Sequence, residues 1–333
     1  MAGACPPELA AAVSRAGGMG AGGMTGQTGE GIAEWSSAVR ASSNGPFMLN
    51  LWTPDPPPAR DRAHEAAVRD FLAAWRPALP EDAADTGHDP DFDAQCAALI
   101  AAGPSVVSSI MGLYPAPFAA RLRERGIRWW ATVTTVAEAE MAAAAGADAI
   151  IAQGMEAGGH RGAFDAEKGE AQTIGLAALV PAVADAVSVP VIAAGGIADG
   201  RGAAAALVLG ASAVIVGTAL LRAPEAGVIP GWADAIARAR PEDTTPTRAF
   251  TGRLGRALRT RYVEAAADPA APAPAPFPVQ RAFTAPMRAA AMAAGDVGGV
   301  AAWAGQSAHL ARAEPAADIV QRIWDETQAA FGV

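Results

Sequence analysis

The chain has 333 residues, half of them apolar, with 36 glycines and a formal net charge of −9. That length supplies one large α/β domain with an appendage, or two ordinary domains. The negative balance argues against a nucleic-acid partner, because phosphate binding needs a basic surface.

Two cysteines, Cys5 and Cys96, form neither a metal-binding pattern nor a disulfide framework. A reducing, cytoplasmic compartment is therefore expected, with no metal. The start, Met1-Ala2-Gly3-Ala4-Cys5-Pro6-Pro7, lacks the basic head and apolar run of a secretory signal. Residues 202–221 are uncharged and long enough for a membrane span. Gly210 divides them into a helix-like and a strand-like half, so no membrane association is expected.

In chain order, residues 7–16 read as a helix with proline in its first turn, 18–22 as a glycine-rich strand and loop, and 32–41 as a helix. A strand at 47–51 runs into a rigid loop, Pro54-Asp55-Pro56-Pro57-Pro58. Helices at 63–75 and 92–102 flank a polar loop, and a strand follows at 106–110. Then come a helix at 117–125, a strand at 128–133, a helix at 135–145 capped by Thr134 or Thr135, and a strand at 147–152. Past a charged loop at 163–173, a helix is expected at 176–187, a strand at 189–193, a helix at 201–209 and a strand at 213–216. Such alternation implies a parallel sheet with covering helices, an α/β barrel one strand short of eight.

From about residue 223 the pattern changes. Residues 244–262 are polar and mixed, 268–278 alternate Ala and Pro as an extended surface segment, and 288–294 and 316–331 read as helices. Residues 1–222 are thus expected to form the barrel core, and 223–333 a helical and loop-rich extension packed on it.

The most informative run is Gln153-Gly154-Met155-Glu156-Ala157-Gly158-Gly159-His160-Arg161-Gly162, directly after a buried strand. Glycines let backbone approach a ligand closely, and α/β barrels place their chemistry at the carboxyl ends of strands. Gly195-Gly196 and Gly217-Thr218 close the last two strands. Backbone amides at such turns make an anion site, and barrels of this kind bind phosphate there. A phosphorylated cofactor across the barrel mouth is therefore expected, completed by Met1-Ala2-Gly3 and Asn50. Amide side chains such as Gln153 and Asn50 both donate and accept, which suits a flavin edge.

His160 titrates near neutrality, and either accepts a proton or hydrogen-bonds a developing anion. Glu156 is the other candidate base, with an anchor tied to backbone or to an arginine as the preferred reading. His64 and His88 lie in a charged insertion and read as solvated, and His309 as a packing residue.

With these residues the chain resembles the nitronate monooxygenases, formerly called 2-nitropropane dioxygenases, which are FMN enzymes on a TIM barrel. The resemblance is carried by Met1-Ala2-Gly3 before Pro7-Glu8-Leu9-Ala10, by Gly17-Gly18-Met19-Gly20, by Asn50 and by the 153–162 run. It continues through Ala193-Ala194-Gly195-Gly196-Ile197-Ala198-Asp199-Gly200-Arg201-Gly202, Gly217-Thr218 and Trp303-Ala304-Gly305-Gln306. It implies FMN held by Met1, Ala2, Gly3, Asn50, Gln153, Gly158, Gly195, Gly196, Gly217 and Thr218, with His160 catalytic.

The implied reaction oxidises a small-molecule alkyl nitronate with O2 to a carbonyl compound and nitrite, without NAD(P)H. His160 would position the nitro group, or take the α-proton if the substrate is a neutral nitroalkane. In the family pattern a strand and a proline directly precede Met-Ala-Gly, whereas here Met-Ala-Gly opens the chain. A TIM (β/α)8 barrel whose first strand, about eight residues, is missing from this sequence is the resulting expectation.

Three other readings compete. FMN-dependent enoyl-acyl-carrier-protein reductases resemble the same Glu156-Ala157-Gly158-Gly159-His160 core, but tend to carry an acidic residue where Gln153 stands. A barrel like inosine-monophosphate dehydrogenase needs a nucleophilic cysteine in the loop after the sixth strand, and residues 153–173 contain none. His160 argues against the third, a flavin-binding protein without turnover.

Overall fold

The structure is a computed structural model that describes residues 3–75 and 90–332. Seven parallel strands form one sheet: β1 (Gly20–Gly23), β2 (Phe47–Trp52), β3 (Val106–Ile110), β4 (Arg128–Val133), β5 (Ala149–Gln153), β7 (Val191–Ala194) and β8 (Ala213–Ile215). They pair in chain order, from Gly20 opposite Phe47 to Ala194 opposite Ile215. The sheet curls as in a TIM barrel, with β1 and β8 at its two edges.

The strands are apolar runs because both faces are covered. Leu49, Leu51, Val107, Ala131, Val133, Ile150 and Ala152 are all essentially solvent-free. Inside the sheet, Ala149, Ile151, Ile192 and Ala194 form a small cluster of their own.

Helices cover the outside: α1 (Pro7–Arg15), α2 (Gly29–Ser42), α3 (Arg62–Ala73), α4 (Phe92–Ala102), α5 (Ala116–Glu124), α6 (Val136–Ala144), α7 (Leu176–Ala186) and α8 (Gly200–Val208). Their starts are set by side-chain caps. Thr28, Asp61, Asp91, Thr135 and Asp199 each accept an amide from the first turn of the helix that follows. Thr135, not Thr134, caps α6. Thr134 instead gives both its amide and its hydroxyl to Glu138. Among the described residues, no helix is long and apolar enough to cross a membrane.

The C-terminal region adds α9 (Pro230–Arg238), α10 (Arg261–Ala266), α11 (Val279–Ala294) and α12 (Ala316–Ala330). It also contains strands that its sequence does not announce. β9 (Thr244–Thr247) and β10 (Gly255–Leu258) pair antiparallel, and the two-residue β6 (Gly159–His160) joins them, with His160 opposite Gly255. A segment of the 153–162 run is thereby stitched to the C-terminal region. A second core lies under this cap, where Phe250, Tyr262, Phe283 and Met287 meet Val68 and Leu72 of α3.

Helix α12 seats on α8 through a glycine. A Cβ on Gly200 would lie 2.6 Å from the backbone carbonyl carbon of Glu326, and the Gly200 amide donates to the Glu326 carboxylate at 2.8 Å. Gly200→Ala is expected to cost about 1–3 kcal/mol through overpacking. Urea unfolding measures this, and an unchanged midpoint would mean that α12 does not press on α8.

Candidate active site

Strand β5 ends in Gln153, which is buried and spends its amide on the loop that follows. Its Nε2 donates to the carbonyl of His160 at 3.0 Å, and its Oε1 accepts the Gly162 amide at 2.7 Å. One N–H and one lone pair remain available. Arg161 braces the same loop from behind, donating to the carbonyls of Gln153, Thr134 and Gln172. Glu156 is a backbone anchor, as its position suggests: both its oxygens accept the Leu176 amide at the start of α7.

A cavity with about 690 Å³ of empty space, including its open mouth, lies at the ends of β5, β7 and β8. Gln153, Gly158, Gly195, Gly196, Gly217 and Thr218 all line it. Gly195 and Gly196 have φ of +122° and +67°, which favour glycine, and they turn the chain back from β7. Among the described residues, the amides of Gly195, Gly196, Gly217 and Thr218 are taken up by no backbone acceptor. Unpaired amides at a glycine turn suit a phosphate.

Asn50 is not among the residues lining this cavity; it lies on β2, where its amide donates to Ser108 at 2.9 Å. Gly3 is exposed beside the 227 loop, whose amide donates to the Ala4 carbonyl. Met1, Ala2 and His88 fall outside the described residues.

His160 stands between two indoles. Trp52 meets its ring edge-on at 4.6 Å and Trp303 lies at 4.7 Å, centroid to centroid. Its Nε2 is 2.8 Å from the Thr251 hydroxyl. Burial, with Arg253, Arg281 and Arg288 nearby, pushes the imidazole down to about 3. The ring is therefore neutral at any working pH.

This has a sign for stability. The unfolded chain protonates this histidine below about 6.5, while the folded one resists until about 3. The stabilisation is complete above the first value and is lost as pH falls toward the second. His160→Phe should remove that part of the acid slope. Parallel unfolding-midpoint profiles for wild type and variant between pH 7.5 and 4.5 would contradict it.

Several lining residues have no signal in the sequence. Ser307 donates to the Gly196 carbonyl, and Thr218 accepts the Gly305 amide at 2.9 Å, so the C-terminal region closes the cavity. Trp52, Thr251 and Arg253 reach His160 only through tertiary contact. Among the described residues, the cysteines and the other histidines lie away from this cavity. The Cys5 thiol contacts the Ala21 carbonyl, and burial pushes Cys96 up to about 12. His64 bonds the Ala273 carbonyl and His309 is exposed. Among the described residues, no group of three His, Cys, Asp or Glu could hold a metal.

Comparison with known proteins yields a consistent set. The profile of a family described as "Nitronate monooxygenase" matches residues 1–326. A nitronate monooxygenase of Paraburkholderia phytofirmans is 40% identical over 331 residues, covering 97% of this chain and 89% of that protein. The structure of a nitroalkane oxidase from Streptomyces ansochromogenes is similar at a TM-score of 0.92 and 37% identity, covering 99% of this chain and 94% of that one. FabK from Thermotoga maritima is similar at a TM-score of 0.77 and 30% identity, covering 100% of this chain and 92% of that one.

Proposed function

The chain belongs to the nitronate monooxygenase family of flavin-dependent oxidoreductases, and from that membership we propose that it uses FMN and O2 to oxidise small alkyl nitronates to a carbonyl compound and nitrite. One observation supports this most directly: six residues named from the sequence meet around a single cavity, and one of them, Gln153, also holds the loop bearing His160.

FMN bound here would supply the redox chemistry that links substrate oxidation to O2. The free amides of Gly195, Gly196, Gly217 and Thr218 would hold its phosphate, and Gln153, Gly158, Asn50 and Met1–Gly3 would complete its seat. Trp52 and Trp303 confine the substrate beside His160 and exclude water from it.

The charges select the form of the substrate. Arg253, Arg281 and Arg288 act on His160 together, Arg253 while ion-paired to Asp55. That positive field attracts an anion. Burial, reinforced by that field, keeps the imidazole neutral and makes it a poor acceptor for a carbon-bound proton. His160 therefore positions a nitronate that arrives already ionised.

At pH 7, with no pyridine nucleotide, the purified protein should release nitrite from a short alkyl nitronate faster than from the freshly dissolved neutral nitroalkane. Rapid NADH oxidation with a crotonyl thioester, and no nitrite from the nitronate, would move the chain to the enoyl-reductase reading.

A further inference from the structure

We propose that Thr251 is a positioning residue: its hydroxyl donates to Nε2 of His160, fixes the imidazole as the Nδ1–H tautomer, and so leaves Nδ1–H as the donor offered to the anionic nitro group. The inference deepens the nitronate reading and rests on it for the identity of the anion.

The hydroxyl has one proton and three neighbours. It lies 2.8 Å from His160 Nε2, 3.3 Å from the Arg253 carbonyl and 3.3 Å from the Arg253 amide. The amide can only donate, so it occupies one lone pair of the threonine oxygen. The proton then goes either to the carbonyl or to the imidazole. A separation of 2.8 Å is typical of an O–H donor, whereas 3.3 Å is long for one. The shorter contact takes the proton, and Nε2 is the acceptor.

A neutral imidazole that accepts at Nε2 carries its hydrogen on Nδ1. Nδ1 has no hydrogen-bond partner among the described residues, since the two contacts of His160 there are made by Nε2 and by its backbone carbonyl. A doubly protonated ring would donate from both nitrogens, but burial and the nearby guanidiniums of Arg253, Arg281 and Arg288 disfavour it.

Thr251 is itself well placed for the task. It is buried, and it sits in the turn between Phe250, packed in the cap core, and Arg253, ion-paired to Asp55. The C-terminal region thus sets the protonation geometry of a histidine that belongs to the barrel.

The test is the long-range proton–nitrogen NMR spectrum of the 15N-histidine-labelled holoenzyme without substrate. The chain has four histidines, and the His160 signals are identified by their loss in His160→Phe. The expected wild-type pattern is protonated Nδ1 and unprotonated Nε2. Thr251→Val should shift it toward Nε2–H and lower kcat/KM for a nitronate by about 10- to 100-fold with FMN content unchanged. Thr251→Ser should restore both.

An Nε2–H pattern in the wild type overturns the proposal. So does a Thr251→Val enzyme with the wild-type tautomer. Because the tautomer is read without substrate, an Nδ1–H pattern in a protein that releases no nitrite would sink the nitronate reading and leave the tautomer assignment intact.

Discussion

Replacing His160 by Phe is expected to lower turnover of a preformed nitronate by about 10²–10³-fold, the usual cost of removing an oriented donor from a developing or bound anion. Phenylalanine keeps an aromatic ring between Trp52 and Trp303, one atom larger, and removes both nitrogens. The cofactor seat should survive, because Gln153 holds this loop through the His160 carbonyl and β6 pairs through backbone. FMN content near wild type together with the rate loss is the signature. Assays should compare nitronate with neutral nitroalkane. Equal proportional losses fit a positioning role, whereas a loss confined to the nitroalkane would make His160 the base that removes its proton.

The second large effect concerns stability. Arg253 is almost wholly buried and binds both oxygens of Asp55, with its third nitrogen on the Ala163 carbonyl. One guanidinium thus ties the loop after β2 and the loop after β6 to the C-terminal region. Asp55→Ala would leave a buried cation without its counter-charge, which typically costs about 3–5 kcal/mol. Asp55→Asn keeps an acceptor and should lose less. Chemical denaturation reads both, and a loss below about 1 kcal/mol for Asp55→Ala would mean the pair is effectively solvated.

The β/α alternation was legible because strands covered on both faces must be continuous apolar runs. Val106–Ile110 and Arg128–Val133 fall where the pattern places them. The cap was not legible for the opposite reason. Thr244–Thr247 and Gly255–Leu258 are short and carry polar residues, and Arg256 is buried although its type argues for exposure. It is satisfied by the carbonyls of Met155 and Thr244, partners no local pattern reveals. Helix α11 starts at Val279, nine residues before its apparent start, because Pro286 sits inside it and reads as a break.

The site divides the same way. Gly195-Gly196, Gly217-Thr218 and the 153–162 run are local signals, since a turn at a strand end needs its glycines in sequence. Thr251 lies 91 residues from His160, and their contact exists only once β6 pairs with β10.

Flavin-dependent nitronate oxidation is read from the visible spectrum of the purified protein during anaerobic titration with a short alkyl nitronate. The account predicts FMN absorbance in the starting protein, a spectral change that saturates with added nitronate, and recovery on admitting air with release of nitrite. A protein that neither carries FMN nor takes it up would contradict the account, as would bound FMN that ignores nitronate and is reduced by NADH.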